Sequence, residues 1–263
     1  MHGTGTSFAT GAFRILPLAV ATMMALAPAG HAQAEAPADP PVIVLINPNS
    51  NASATESMAR LAQDAAGGRA RVVGRTNEGA PRLLTTPGDM ARAAGGVAEI
   101  GLQAADRDDA DAIIVSAFSD PGLAELRRAR PGLPVVGIGE EAFHEAARGG
   151  RSFAIVTITP DPALVESFRA KAEALGYLDQ FRGVQVTPGD PNELVEDPRR
   201  LDTALAEAVT RARRENGADA VIMGGGPLSA PALRIQPQFD IPLVVAVTAA
   251  THAALERIGK HSE

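Results

Sequence analysis

The sequence predicts an α/β protein of two pseudo-symmetric, Rossmann-like lobes, each built on a parallel sheet. Three observations predict it. Short runs of Val, Ile and Leu are apolar at every position, amphipathic helical stretches separate them, and the pattern recurs at a displacement of 108 residues. A strand that is apolar throughout is buried on both faces, and helices between such strands supply the crossovers that parallel pairing requires.

In chain order, residues 1–34 read as an export signal and not as part of the fold. Arg14 is their only Lys or Arg, and it precedes an apolar run, Ile15 to Ala29, interrupted by Pro17, Thr22 and Pro28. Small residues then offer cleavage after Ala32 or Ala34. The run is shorter than the roughly 20 apolar residues of a spanning helix. The expectation is therefore a periplasmic or secreted chain with no stable membrane span after cleavage. Residues 35–41 form a linker rich in Pro, Ala and acid. Val42–Ile46 is the first strand, ending at Asn47-Pro48-Asn49, and Ser53 with Glu56 has the spacing of a capping box for the next helix. Ala112–Val115, Pro134–Ile138, Phe153–Ile158, Ala220–Met223 and Leu243–Val247 continue the series of strands.

Two of these units repeat. Asp111-Ala-Ile-Ile-Val matches Asp219-Ala-Val-Ile-Met, and Leu133-Pro-Val-Val matches Ile241-Pro-Leu-Val, both displaced by 108 residues; His144 then falls opposite His252. Ile43–Asn49 similarly resembles Ile155–Asp161. In open parallel sheets ligands bind beyond the carboxyl ends of the strands. With two such lobes, the site is expected in the cleft between them.

Composition narrows the function. A net charge of −7 and the absence of any basic block argue against a nucleic-acid partner. Aromatics make up 3% and Trp is absent, so the core is expected to rest on Ala, Val, Leu and Ile. The chain has no Cys. That excludes disulfides, thiol bases and Cys-held metals, and no His, Asp or Glu grouping has metal-ligand spacing. No cofactor is expected, since Gly224-Gly225-Gly226 lacks the spacing of a dinucleotide loop.

The strand-end segments carry a family resemblance. Leu45-Ile46-Asn47-Pro48-Asn49-Ser50 resembles the "INPNT/S" opening of hydantoin and allantoin racemases, and Ser116 to Leu123 resembles their "ACFxDPGL" block. Gly137-Ile138-Gly139-Glu140 resembles "GIGE", and Ala218 to Gly226 resembles "ADVIVLGCAG". The likeness runs over about residues 42–257 and is identified with the hydantoin-racemase branch of the aspartate/glutamate racemase superfamily. It implies the two-lobed fold, with residues 42–142 plus 246–260 in one lobe and 143–245 in the other, and a possible homo-oligomer. It also implies two cysteines flanking the acidic α-carbon of a substrate, one removing a proton and one returning it from the opposite face. Those positions fall on Ala117 and Gly225, which hold no proton, so two-thiol racemisation is excluded. The Asp-Gly that often follows the family's last strand stands here as Val245-Ala246.

The remaining candidates are of two kinds. As replacement bases stand Asp120, Glu141 and His144, although Asp120 before Pro121 also reads as a helix cap, and Glu140 and Glu141 suit a helix start. As ligand contacts stand Asn47, Ser119, Thr157 and Thr159 at strand ends, with the amides of Gly224, Gly225 and Gly226 as an anion cradle. The expected function is an exported member of this superfamily that binds a small carboxylate, amino acid or hydantoin-like ligand in the cleft. The first form of that expectation is a non-thiol isomerase or lyase; the alternative is a catalytically inactive binding protein.

Overall fold

Every strand expected from the apolar runs lies in one of two four-stranded parallel sheets. The computed structural model describes residue 3, residues 5–8 and residues 39–261, so the expected export segment falls almost wholly outside the described residues, as does most of the linker. The chain runs β1 (Val42–Asn47), α1 (Ala52–Ala66), β2 (Arg71–Thr76), α2 (Pro87–Arg107), β3 (Ala112–Val115), α3 (Leu123–Ala129), β4 (Val135–Gly137) and α4 (Ile138–Ala147). It continues through β5 (Phe153–Thr157), α5 (Pro162–Ala174), β6 (Phe181–Val186), α6 (Pro191–Glu196), α7 (Pro198–Asn216), β7 (Ala220–Met223), α8 (Ser229–Ile235), β8 (Leu243–Val244) and α9 (Ala246–His261). The strand orders are β2-β1-β3-β4 and β6-β5-β7-β8, the same order twice.

The continuous apolar runs divide by the two-residue period of a strand. Ile43 and Leu45 of β1, Ile114 of β3, Phe153 and Ile155 of β5 and Ile222 of β7 all enter one core shared by both sheets, which α1, α4, α5 and α9 complete. The alternate residues face outward into separate cores. Val44, Ile46, Ile113 and Val115 pack with α2 and α3 residues, and Ala154, Val156, Val221 and Met223 pack with α7 and α8 residues. Helix α9 packs on α1, α4, β3 and β4.

Several local expectations are corrected. Two strands, β2 and β6, were not expected; both are sheet edges, half-exposed and broken by Arg and Gly. The run Leu243–Val247 is a strand only to Val244, because Ala246 and Val247 already belong to α9 and are buried in the shared core as helix residues. Ser53 and Glu56 do not cap α1. Asn51 does, its side chain accepting from the Ala54 amide, while Glu56 pairs with Arg60 at 3.6 Å on the surface. The capping box belongs instead to α2, as Thr86 and Asp89. Aliphatic residues fill the strands as expected, yet aromatic rings form a seam in the shared core. Phe168 meets Phe118 edge-on at 5.1 Å, Phe118 stacks on Phe143 at 5.8 Å, and Phe143 meets Phe153 at 5.5 Å. Such pairs add about 0.5–1.5 kcal/mol each beyond their area. Among the described residues no helix is long and apolar enough to cross a membrane.

Candidate functional site

The carboxyl ends of β1, β3, β5 and β7 open into one hollow of about 60 Å³. Its walls are Asn49 after β1, Ser116 to Ser119 after β3, Ile158 and Thr159 after β5, and Gly224 to Leu228 after β7, closed by Leu83, Leu84 and Met90 on one side and Leu164 and Phe168 on the other. Ala117 and Gly225 therefore stand in the same hollow, one from each sheet. The segments carrying them touch: a side chain added at Gly226 would lie 2.9 Å from the Ser116 carbonyl oxygen, and one at Gly224 3.6 Å from the Phe118 ring.

The three glycines after β7 differ in kind. Gly224 has no room for a Cβ, which would come within 2.8 Å of Ile155, and at Gly226 it would come within 2.5 Å of Met58. Gly225 is extended at φ 165°, and a Cβ there would meet only Leu228 at 3.6 Å and Pro227 at 4.0 Å, ordinary contacts. Glycine is thus required by close packing on either side of Gly225 but not at Gly225 itself. Two of the three expected cradle amides are committed, Gly224 N to the Val156 carbonyl at 2.8 Å and Gly225 N to the Met223 carbonyl at 2.9 Å.

The open donors lie elsewhere. Ser116 N and Asp120 N donate to Ile46 and Ala117 carbonyls, but among the described residues the amides of Ala117, Phe118 and Ser119 between them find no acceptor. Three successive amides are thus left without an acceptor within the fold. The Ser119 hydroxyl is buried without a partner. Asn49 accepts on Oδ1 from Asn47 Nδ2 at 2.9 Å and from the Asn51 amide at 2.9 Å, which leaves Nδ2 as its open donor. Thr159 lines the hollow and uses only its amide, which donates to Thr157 Oγ1 at 3.2 Å, so its hydroxyl is unclaimed within the fold.

Asn47 and Thr157 are placed differently from the expected ligand contacts. Asn47 is fully buried, and its Nδ2 donates to Asn49 Oδ1, the Asn51 carbonyl and Thr55 Oγ1 while its Oδ1 accepts the Asn49 amide at 3.2 Å. Thr157, also fully buried, donates to the Gly224 carbonyl at 3.4 Å. Each holds the residue two places on that does face the hollow, Asn49 and Thr159. The sequence reading missed Asn49 in the first case. The available signal was its position past Pro48, beyond the strand end where ligand contacts gather.

Asp120, Glu141 and His144 do not line the hollow. Asp120 adopts a left-handed φ of 55°, and its carboxylate accepts the Gly139 and Glu140 amides at 2.8 Å each and the Lys171 ammonium at 2.6 Å. It does cap a helix, but α4 and not α3, whose own cap is Gly122. Burial pushes its carboxyl up against the pull of Lys171 and the two amides. Lys171 also donates to the Phe118 carbonyl at 3.1 Å, so α5 pins the loop that bears Ala117. Glu141 is buried and pairs with Arg257, burial pushing its carboxyl up and Arg257 pulling it down. His144 Nδ1 meets the Tyr177 hydroxyl at 2.8 Å and its Nε2 lies 3.8 Å from Glu140, which raises the ring above its ordinary value. His252 is exposed on α9. Among the described residues no three His, Asp or Glu gather as a metal site.

The family model for Asp/Glu/hydantoin racemases matches residues 43–254. The chain belongs to this family. It is 29% identical over 219 residues to the hydantoin racemase of Rhizobium meliloti, covering 82% of this chain and 88% of that one. The allantoin racemase from Pseudomonas fluorescens superposes with a TM-score of 0.70 at 26% identity, covering 83% and 92% of the two chains. That from Klebsiella pneumoniae gives 0.77 at 23% identity over 84% and 88%, a likeness of fold. This chain has no cysteine, and among the described residues none that lines the hollow is ionisable; Arg82 and Glu196 line an adjoining pocket that shares Asn49, Leu83 and Pro227 with it.

Proposed function

We propose that the protein is a catalytically silent receptor of the racemase fold, binding a small oxygen-rich molecule of the hydantoin or carboxylate kind between its two sheets. One observation carries this reading. The hollow is walled by residues with spare donors, Asn49, Thr159 and the 117–119 amides, together with the buried, unpartnered Ser119 hydroxyl, and no titratable side chain lines it. Donors without fixed acceptors suit carbonyl or carboxylate oxygens. A buried ammonium has no anion to meet it, and an unpaired buried charge is costly, which counts against a free amino acid. Leu84, Met90, Leu164 and Phe168 supply an apolar wall for the rest of the ligand.

The competing reading, a non-thiol isomerase or lyase, needs a base within hydrogen-bond reach of the reacting carbon. Its three candidates are occupied: Asp120 by Lys171, Glu141 by Arg257, and His144 by Glu140 and Tyr177. The exported location remains part of the proposal, supported by the Arg14-led apolar run Ile15 to Ala29.

The test is calorimetric titration and thermal shift with a panel of 5-substituted hydantoins, malonates and amino acids, alongside deuterium exchange at each α-carbon. Stabilisation by hydantoins or malonates without exchange is the expected result. Exchange above a protein-free control overturns the silent reading, and absence of binding across the panel overturns the ligand class.

A further inference from the structure

Ala117 and Gly225 line the hollow from different sheets, and the lack of a side chain at Gly225 is not forced by packing as it is at the neighbouring glycines. At Gly224 and Gly226 packing excludes a Cβ, which would meet Ile155 at 2.8 Å or Met58 at 2.5 Å. At Gly225 a Cβ would meet its first neighbour at 3.6 Å, so a space of at least methyl size is left there. Leu228 and Pro227, which also line the hollow, bound that space, so it is apolar.

A protein that moves a proton needs a carbon that carries one. A wall with no acid or base imposes no such demand, and the room beside Gly225 admits a substituent in place of the hydrogen. Resting on the receptor reading above, we infer that the natural ligand class is fully substituted at its central carbon: a molecule with a carbonyl-rich head, one larger apolar group and a second small apolar group, and no removable α-proton. The head meets Asn49, Ser119 and Thr159, the larger group lies against Met90 and Phe168, and the small group fills the space beside Gly225. The same placement explains why Gly225 needs no side chain although its backbone tolerates one.

The test compares 5-isobutylhydantoin with 5-isobutyl-5-methylhydantoin by calorimetry on the full chain. Burial of one added methyl makes the disubstituted compound bind about fourfold tighter. Gly225→Ala, which adds a Cβ that the backbone accepts, reverses the preference by weakening the disubstituted compound about tenfold or more while sparing the other. Binding of the monosubstituted compound alone overturns this inference and leaves the receptor reading standing. Failure of both compounds to bind a folded protein overturns both. Equal weakening of the two compounds by Gly225→Ala overturns the placement of the second group.

Discussion

The hollow and the polar cluster around α4 are near neighbours with opposite designs. The hollow has open hydrogen-bonding capacity and no charge; the cluster of Asp120, Glu140, Glu141, His144, Arg127, Lys171 and Arg257 has charge and little open capacity. Each acid of the cluster meets a cation or a helix amide, so these residues hold α4 against its neighbours. On the proposed reading, chemistry-bearing residue types are poor guides to the site of this protein. The proposed site is marked by what its polar groups have not been given to bond.

If that contrast is right, damage to the cluster costs stability and damage to the hollow costs binding. The largest effect is expected at the buried pair. Lys171→Met leaves the Asp120 carboxylate buried beside only its two amides, and losing one partner of a buried pair costs about 3–5 kcal/mol. Urea unfolding measures it, and the double change Asp120→Asn with Lys171→Met recovers part of the loss. A loss below about 1 kcal/mol in Lys171→Met would show that the pair is not the pin its geometry suggests.

Next comes Glu140. His144, then Arg127 and Arg257, hold its carboxyl at about 2 despite burial. A carboxyl held below its ordinary 4.5 in the folded state contributes fully above that pH, and the contribution fades as pH falls toward 2. The His144 ring is shifted the other way, so its contribution is complete below 6.5 and fades as pH rises through the raised value. The pair therefore supports the fold best between 4.5 and 6.5. Glu140→Gln is expected to remove about 0.5–1 kcal/mol of acid-sensitive stability, since solvent reaches the pair and screens it. An unchanged slope of stability against pH between 4.5 and 2 in that variant would contradict the assignment.

What was legible in the sequence follows the same division. β1, β3, β5 and β7 announce themselves because burial on two faces forces unbroken apolar runs, whereas the edge strands Arg71–Thr76 and Phe181–Val186 bury less and carry Arg and Gly. The end of β8 was invisible because Ala246 and Val247 are as buried in a helix as they would be in a strand. Ala117, Ser119, Thr159 and Gly225 were found at strand ends by resemblance and by the repeat, and all four line the hollow. Asn49 was missed in favour of Asn47, since both are Asn at a turn and only the hydrogen-bond network separates the holder from the held. Asp120 looked like a local cap, but its target helix begins nearly twenty residues on, with the Gly139 and Glu140 amides, a tertiary fact that no local pattern carries.

On the hollow's side, Ser119→Ala sharpens the comparison because its two effects have opposite signs. The hydroxyl is buried without a partner, and an unsatisfied buried polar group costs about 1–3 kcal/mol. Its removal is expected to raise the stability of the ligand-free protein by about 1 kcal/mol at the low end of that range, and to weaken hydantoin or malonate binding about tenfold. Thermal unfolding with and without ligand reads both. A variant that loses stability in the free protein would mean that the hydroxyl is satisfied within the fold.

The smallest signal is expected from restoring chemistry to the hollow. On the proposed binding mode, Ala117→Cys with Gly225→Cys would place a thiol on each face of the ligand's central carbon, and the open contacts at Gly225 accept the new Cβ. No cation lines the hollow among the described residues, so nothing there pulls a thiol below its ordinary pKa of about 8.5. Only a few per cent of each is then thiolate near neutrality, and exchange of the α-proton of a 5-monosubstituted hydantoin should be slow, about 10²-fold over buffer, at the low end of what a positioned proton carrier contributes. The rate should climb as pH rises toward 9, and each single variant should fall well below the double, because inversion needs a donor and an acceptor on opposite faces. A folded double variant that binds the hydantoin yet exchanges nothing at pH 9 would place Ala117 and Gly225 out of line with the ligand's central carbon, and the contrast between an uncharged site and a charged scaffold would lose its chemical meaning.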